Sequence, residues 1–456
     1  MSNNPKKHFA IRSQRAVIDG EMQAATIVVK DGLIEQILAY EAAVDCEIND
    51  VGNHVVMPGL VDSHVHINEP GRTEWEGFNT ATQAAAAGGI TTLVDMPLNC
   101  IPVTIDKASF QEKLDSVHDK LWVDCGFWGG IIPQSVDDLE ELLEAGVLGC
   151  KSFLIDSGIE EFPEMHAQDL RKAMPIMAKH NVPYLIHAEL DCGNSEPAEI
   201  TEKYQSFLDS RPRSWENNAI DMMIDLNREV KDNGLDCNVH IVHLSSSDAI
   251  ANIEAARKEG ITLTIETCPH YLTIASEDIP DGKTLFKCCP PIRENDNREL
   301  LWQGLEDGVI DFIVSDHSPC TPELKYIDTG DIEKAWGGIS ALQFGLPLIW
   351  TEAKPRGYAL TQLAHWMSEQ TAKFIGMDHV KGHIRIGYHA DFVIFDDQKE
   401  YEITNAMIKH KNKITPYEGR RVTGEVLTTY LRGQVVYHQD SFMDSPKGQP
   451  LLKGQV

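Results

Sequence analysis

Through the middle of the chain one pattern recurs: a short apolar, β-type run, then a helix-like stretch, then another run. The runs are TTLVDMP, CGFWGGII, CKSFLI, PYLIHAE, VHIVHLSS, LTIETCPH and DFIVSDHSP. WEGFNTATQAAAAGG and DDLEELLEAGV are two of the helix-like stretches, and Gly88–Gly89 stops the first of them. Repeated β then α predicts a parallel sheet covered by helices. About eight such units close naturally into a (β/α)8 TIM barrel, which takes roughly 250 residues or more. No run approaches the roughly 20 apolar residues needed to cross a bilayer.

The two ends read differently. FAIRSQRAVI, ATIVVKDGLIEQIL and the stretch up to HVVM are β-type, with Asp19–Gly20 and Asp31–Gly32 as turns. HADFVIFD, VLTTYLRG and VVYHQD near the C-terminus are similar. The expected class is therefore α/β: a TIM barrel over residues 57–384, with a small β-sandwich made from residues 1–56 and 385–456. A length of 456 residues accommodates both units.

With 42% hydrophobic residues the chain can bury a large core. A net charge of −30 argues against a nucleic-acid partner, because phosphate binding needs clustered Lys and Arg. The start, MSNNPKKHFAIRSQRAVIDG, has no apolar segment of the kind that exports a protein. The ten cysteines include no CxxC pair. Together these predict a cytoplasmic protein with free thiols and no membrane or nucleic-acid partner. The adjacent Cys288 and Cys289 read as packing or pocket lining.

Several runs end in a group that could bind a metal, and strand C-termini are where TIM barrels build their sites. His64 and His66 follow VVMPGLVDS two residues apart, so on a strand they share a face. Asp62 just before them could orient one of the rings. His187 and His243 end later runs, and Asp316 ends another. Imidazoles with a carboxylate suit Zn²⁺, Fe²⁺, Mn²⁺ or Co²⁺. Lys151 lies inside the apolar run CKSFLI, where a charged ammonium is costly. It is either a side chain snorkelling to the rim or a lysine that CO₂ converts to an anionic carbamate.

The order Asp-x-His-x-His, then Lys, His, His and Asp on successive strands resembles the cyclic amidohydrolases, a group holding dihydropyrimidinases, hydantoinases, dihydroorotases and allantoinases. The resemblance covers nearly the whole chain. It implies two divalent metal ions, zinc foremost, bridged by a carbamate on Lys151 and by a hydroxide. It implies His64, His66, Lys151, His187, His243 and Asp316 as ligands, with Asp316 also moving the proton. Relatives of this kind are commonly homotetramers or dimers, which implies a homo-oligomer. Some are non-enzymatic assembly proteins that have lost ligands, whereas all six positions are filled here.

Within the group, dihydroorotases carry an arginine that pairs with a substrate carboxylate; HVHINEPG has Asn68 at that place. A neutral amide is no carboxylate clamp, so an uncharged substrate is implied. Dihydropyrimidinases carry a tyrosine after the carbamate lysine, and SFLIDSGIEEFPEM has none. HINEPGR, DMPLN, FLDSRP, WENNAI, ETCPHYL, KCCPPIR, SDHSPC and AWGGIS resemble the allantoinase branch most. Hydrolysis of a hydantoin-ring amide of allantoin is implied, with a dihydropyrimidinase or hydantoinase activity as the alternative. By the same resemblance Asn99, Cys289 and Ser318 are candidate substrate contacts. His270 and His317 stay outside the ligand set.

Overall fold

The computed structural model describes residues 8–193 and 199–455. Five strands lie at the N-terminal end: β1 (His8–Ile18), β2 (Glu21–Lys30), β3 (Leu33–Ala39), β4 (Glu47–Asp50) and β5 (Val55–Pro58). The two Asp-Gly pairs are the hairpin turns. Ile18 pairs with Glu21 and Lys30 with Leu33, and all four turn residues have positive φ. Two-residue loops with that backbone match the twist of the strands they join.

The barrel strands follow: β6 (Leu60–Val65), β7 (Ile90–Asp95), β8 (Asp124–Phe127), β9 (Gly129–Gly130), β10 (Cys150–Phe153), β11 (Pro183–His187), β12 (Asn238–Ile241), β13 (Leu263–Thr267) and β14 (Phe312–Ile313). All neighbouring pairs among them are parallel. β8 and β9 are one strand interrupted at Trp128, pairing with β7 on one side and β10 on the other. The ring closes where Val65 bridges His317 and the His66 N–H donates to the His317 carbonyl at 2.8 Å.

Helices cover the outside. The alanine-rich stretch forms Phe78–Ala87, and the Gly88 N–H caps it on Ala84. Alanine has the highest helix propensity and is small enough to pack against a strand. DDLEELLEAGV divides into a 3₁₀ turn, Pro133–Asp138, and a short α-helix, Leu139–Glu144.

The C-terminal strands are β15 (Phe392–Glu402), β16 (Arg421–Leu431), β17 (Gln434–His438), β18 (Ser441–Phe442) and β19 (Pro450–Leu451). Antiparallel pairing of β15 with β5 joins the two ends into one nine-stranded sheet. Phe9 of β1 stacks on Tyr430 of β16, and the Asn49 amide of β4 donates to the Tyr430 hydroxyl at 3.0 Å. β1 and β16 are three places apart in the strand order, so the sheet folds over on itself as a sandwich. β19 departs from the expected division: it leaves the sandwich and pairs in parallel with β8 of the barrel.

Candidate metal centre and substrate cavity

The parallel ring delivers six predicted residues to one end. His64 lies near the end of β6 and His66 just beyond it; Lys151 lies in β10, and His187 ends β11. His243 and Asp316 follow β12 and β14 in a left-handed backbone conformation, φ 42° and 43°. Few residues other than glycine adopt it, and it turns both side chains out of the strand path. All six are buried.

Their polar atoms converge. Asp316 Oδ1 is 3.2 Å from His64 Nε2 and 3.6 Å from His66 Nε2. Lys151 Nζ is 3.4 Å from His64 Nε2. His187 Nδ1 faces His243 Nε2 at 3.0 Å. Donor atoms of His64, His66 and Asp316 all lie within 4.8 Å of one another. Burial, aided by the Lys151 charge, holds His64 well below the usual imidazole value. Burial and the neighbouring His187 do the same for His243. Neutral imidazoles are the form that binds a metal. Burial alone would raise the Asp316 carboxyl; the His66 hydrogen bond and nearby positive charges outweigh it, so the acid stays ionised. For Lys151, burial lowers the pKa to about 8 against the pull of Asp316 and Glu266. A buried lysine that sheds its proton near neutrality is a nucleophilic amine, the form that adds CO₂.

Three residues that support these candidate ligands escaped the sequence reading. Glu266 in β13 bonds the His64 ring at Nδ1 and accepts the His243 N–H at 3.3 Å. Glu189 bonds His187 Nε2 at 2.7 Å, and Arg211 holds Glu189 with two hydrogen bonds of 3.0 and 2.6 Å. Such outer carboxylates fix the tautomer and orientation of a ligand ring. Asp62 has a different task from the one expected. It accepts the N–H groups of His64 and Ser315, at 3.1 Å each, and so pins backbone rather than imidazole. The signal for Glu266 was an acid within an apolar run, and for Glu189 the spacing of IHAE. Arg211 had no local signal.

A cavity of about 670 Å³ opens onto this cluster. His66, Lys151, His187, His243 and Asp316 form its floor, and Asn99, Cys289 and Ser318 line it. Asn99, at φ 67°, brings its amide 3.4 Å from His66 Nδ1. The Ser318 hydroxyl donates to the Asp316 carbonyl at 3.0 Å and accepts the Ile339 N–H at 3.2 Å. Its proton is committed, so toward a ligand the oxygen can only accept. The Asn68 amide donates to the Pro319 carbonyl at 3.2 Å.

His317 is not aimed at the cluster. Its Nδ1 accepts the Ala341 N–H at 3.2 Å, and Nε2 lies 3.4 Å from Glu76. His270 packs on Tyr271 beside Asp316, its ring nitrogens without a protein partner. The ten cysteines are all free thiols. Among the described residues no helix is long and apolar enough to cross a membrane.

The amidohydrolase family model matches residues 55–436. An allantoinase from Saccharomyces cerevisiae is 45% identical over 97% of this chain and 98% of its own. One from Streptomyces avermitilis is 45% identical over 98% of both chains. Among solved structures, the L-hydantoinase (dihydropyrimidinase) from Arthrobacter aurescens matches with a TM-score of 0.90 at 28% identity, covering 98% of this chain and all of that one. By the family match over residues 55–436 and these near-full-length relatives, the chain belongs to the amidohydrolase family.

Proposed function

We propose that this hydrolase opens a hydantoin-ring amide of allantoin to give allantoate, a step of purine breakdown. The observation that carries the reading is the near-full-length likeness to allantoinases, joined to five buried donor groups at the floor of one cavity and His64 just beneath them. A neutral cyclic amide suits this chain because Asn68, standing where the resemblance would put a carboxylate-binding arginine, is a neutral amide bonded to the Pro319 carbonyl. Hydantoinases share the fold at lower identity, so hydantoin or dihydrouracil is the second substrate class to test.

The donor set fits two divalent cations. His64, His66 and Asp316 would hold one and His187 and His243 the other, with a Lys151 carbamate between them. When bound, such ions polarise an amide carbonyl and lower the pKa of a water toward 7. Zinc is the expected identity, with iron, manganese and cobalt as alternatives. Lys151 would become a ligand when its neutral amine attacks CO₂: an N–C bond forms as one C–O π bond gives its electron pair to oxygen, the nitrogen loses one proton, and the neutral amine becomes an anionic carbamate. Asp316 would accept a proton from the attacking water and return it to the leaving ring nitrogen, help worth roughly 10²–10⁴-fold. Asn99 and Cys289 would contact the ring from the cavity wall, and the Ser318 oxygen would accept from a ring N–H. A cytoplasmic homotetramer completes the proposal, supported by the free thiols and by family likeness.

The test is turnover of allantoin, hydantoin, dihydrouracil and dihydroorotate side by side. Preference for allantoin, lost in Asp316→Asn with metal still bound, is the expected result. Near-normal turnover in that variant would sink the role of Asp316, and preference for dihydrouracil would sink the substrate.

A further inference from the structure

Lys325 is buried at 2% exposure, in the 3₁₀ turn Pro322–Lys325 that follows the barrel's last strand. Its ammonium faces three backbone carbonyls and, among the described residues, no carboxylate. Nζ donates to Trp336 O at 2.8 Å, to Gly338 O, and to Lys287 O at 3.4 Å. Burial lowers its pKa, and the opposing influences come from thiols, not acids. A buried cation without an anionic partner costs several kcal/mol unless every proton is well placed.

What that placement holds is the cavity wall. Lys287, Cys288 and Cys289 line the cavity from one loop, and Trp336, Gly337 and Gly338 from another. The Gly338 N–H donates to the Lys287 carbonyl at 2.8 Å, and the Trp336 N–H to Leu324 at 2.8 Å. The segments pack without slack. A β-carbon on Gly338 would lie 2.3 Å from the Ser318 carbonyl oxygen, and one on Gly337 3.3 Å from Cys289 Sγ. These loops come from separate parts of the chain, and three carbonyls meet at one ammonium.

We propose that Lys325 is a positioning residue for substrate: its ammonium clamps the 287–289 and 336–338 loops together and so sets the wall against which the cyclic amide is bound. It touches neither the metal ligands nor the cavity, so it acts through Cys289, Gly337 and Ser318. The part concerning allantoin rests on the function proposed above; the part concerning the wall does not.

Two readouts separate them. Lys325→Met removes the charge and keeps the packing. Hydrogen exchange of the metal-loaded protein should quicken in 286–289 and 335–339 and remain unchanged at β6 and β11. The KM for allantoin should rise about tenfold or more, the loss expected for a charged hydrogen bond, with a smaller change in kcat and with metal content kept. Lys325→Gln, which keeps donors without the charge, carries the same comparison should the methionine variant not fold. Unchanged exchange in both loops overturns the clamp, whatever the substrate. Faster exchange with an unchanged KM overturns the role of this wall in binding. A wild type that prefers hydantoin overturns the assigned substrate and leaves the exchange result standing.

Discussion

His187 keeps Nδ1 free to face His243 because Glu189 occupies its other ring nitrogen, and Glu189 is fixed in turn by the two-pronged hold of Arg211. Burial alone would raise the Glu189 carboxyl; Arg211 and His187 outweigh it and hold the acid far below the usual range. Glu189→Gln should weaken metal binding about 10–100-fold, read by competition with a chelator. A carboxyl whose folded pKa is depressed stabilises the fold fully above its unfolded value of about 4.3 and loses that contribution as pH falls toward the folded value. The stability gap between wild type and Glu189→Gln, measured by urea unfolding, should therefore be widest near pH 7 and narrow from about pH 4 downward. At this scale much was legible. The ligand candidates showed because a histidine, lysine or aspartate in an apolar run is out of place. Arg211 was not legible, because nothing local ties FLDSRP to a carboxylate 22 positions away.

Elements were legible where local chemistry decides them. The Asp-Gly hairpins and the alanine helix with its double-glycine stop need no tertiary context. DFIVSDHSP was legible as a strand, yet only Phe312 and Ile313 pair in regular β geometry. The left-handed turn that aims Asp316 ends it early. One helix-to-strand contact bears directly on the site. Lys113, on helix Lys107–Ser116, is buried against Asp95 at the end of β7, and Asp95 accepts the Ile67 N–H at 2.9 Å beside His66. Lys113→Met would leave the carboxylate buried and unpaired, which costs about 3–5 kcal/mol. A fall in stability of that size in chemical unfolding is expected. A change under about 1 kcal/mol would mean that the pair does not anchor the first ligand loop.

At the scale of the molecule, one joint between barrel and sandwich lies at the end of the barrel away from the candidate ligands. Asp124, the first residue of β8, accepts from Lys381 at 2.9 Å and from Arg432; Lys381 also bonds Asp391 at 2.7 Å, and the Gln449 N–H donates to Asp124 at 2.9 Å. This buried network ties the barrel floor to the sandwich and to the returning tail. Lys381→Met should cost about 3–5 kcal/mol of stability and leave metal stoichiometry unchanged, a pairing of results that separates the joint from the site. The β19 return and the Val65–His317 closure were not legible, since each joins distant segments through backbone bonds that any residue can make. The proposed function stands on Lys151, buried among four histidines and an aspartate, becoming a metal ligand. Its most direct test compares wild type with Lys151→Ala, each reconstituted with and without bicarbonate, by metal content and intact mass. Wild type with bicarbonate should carry two ions per chain and the mass of one added CO₂. Lys151→Ala should show neither the added mass nor the second ion, and no turnover. Two ions and full turnover in Lys151→Ala would contradict it.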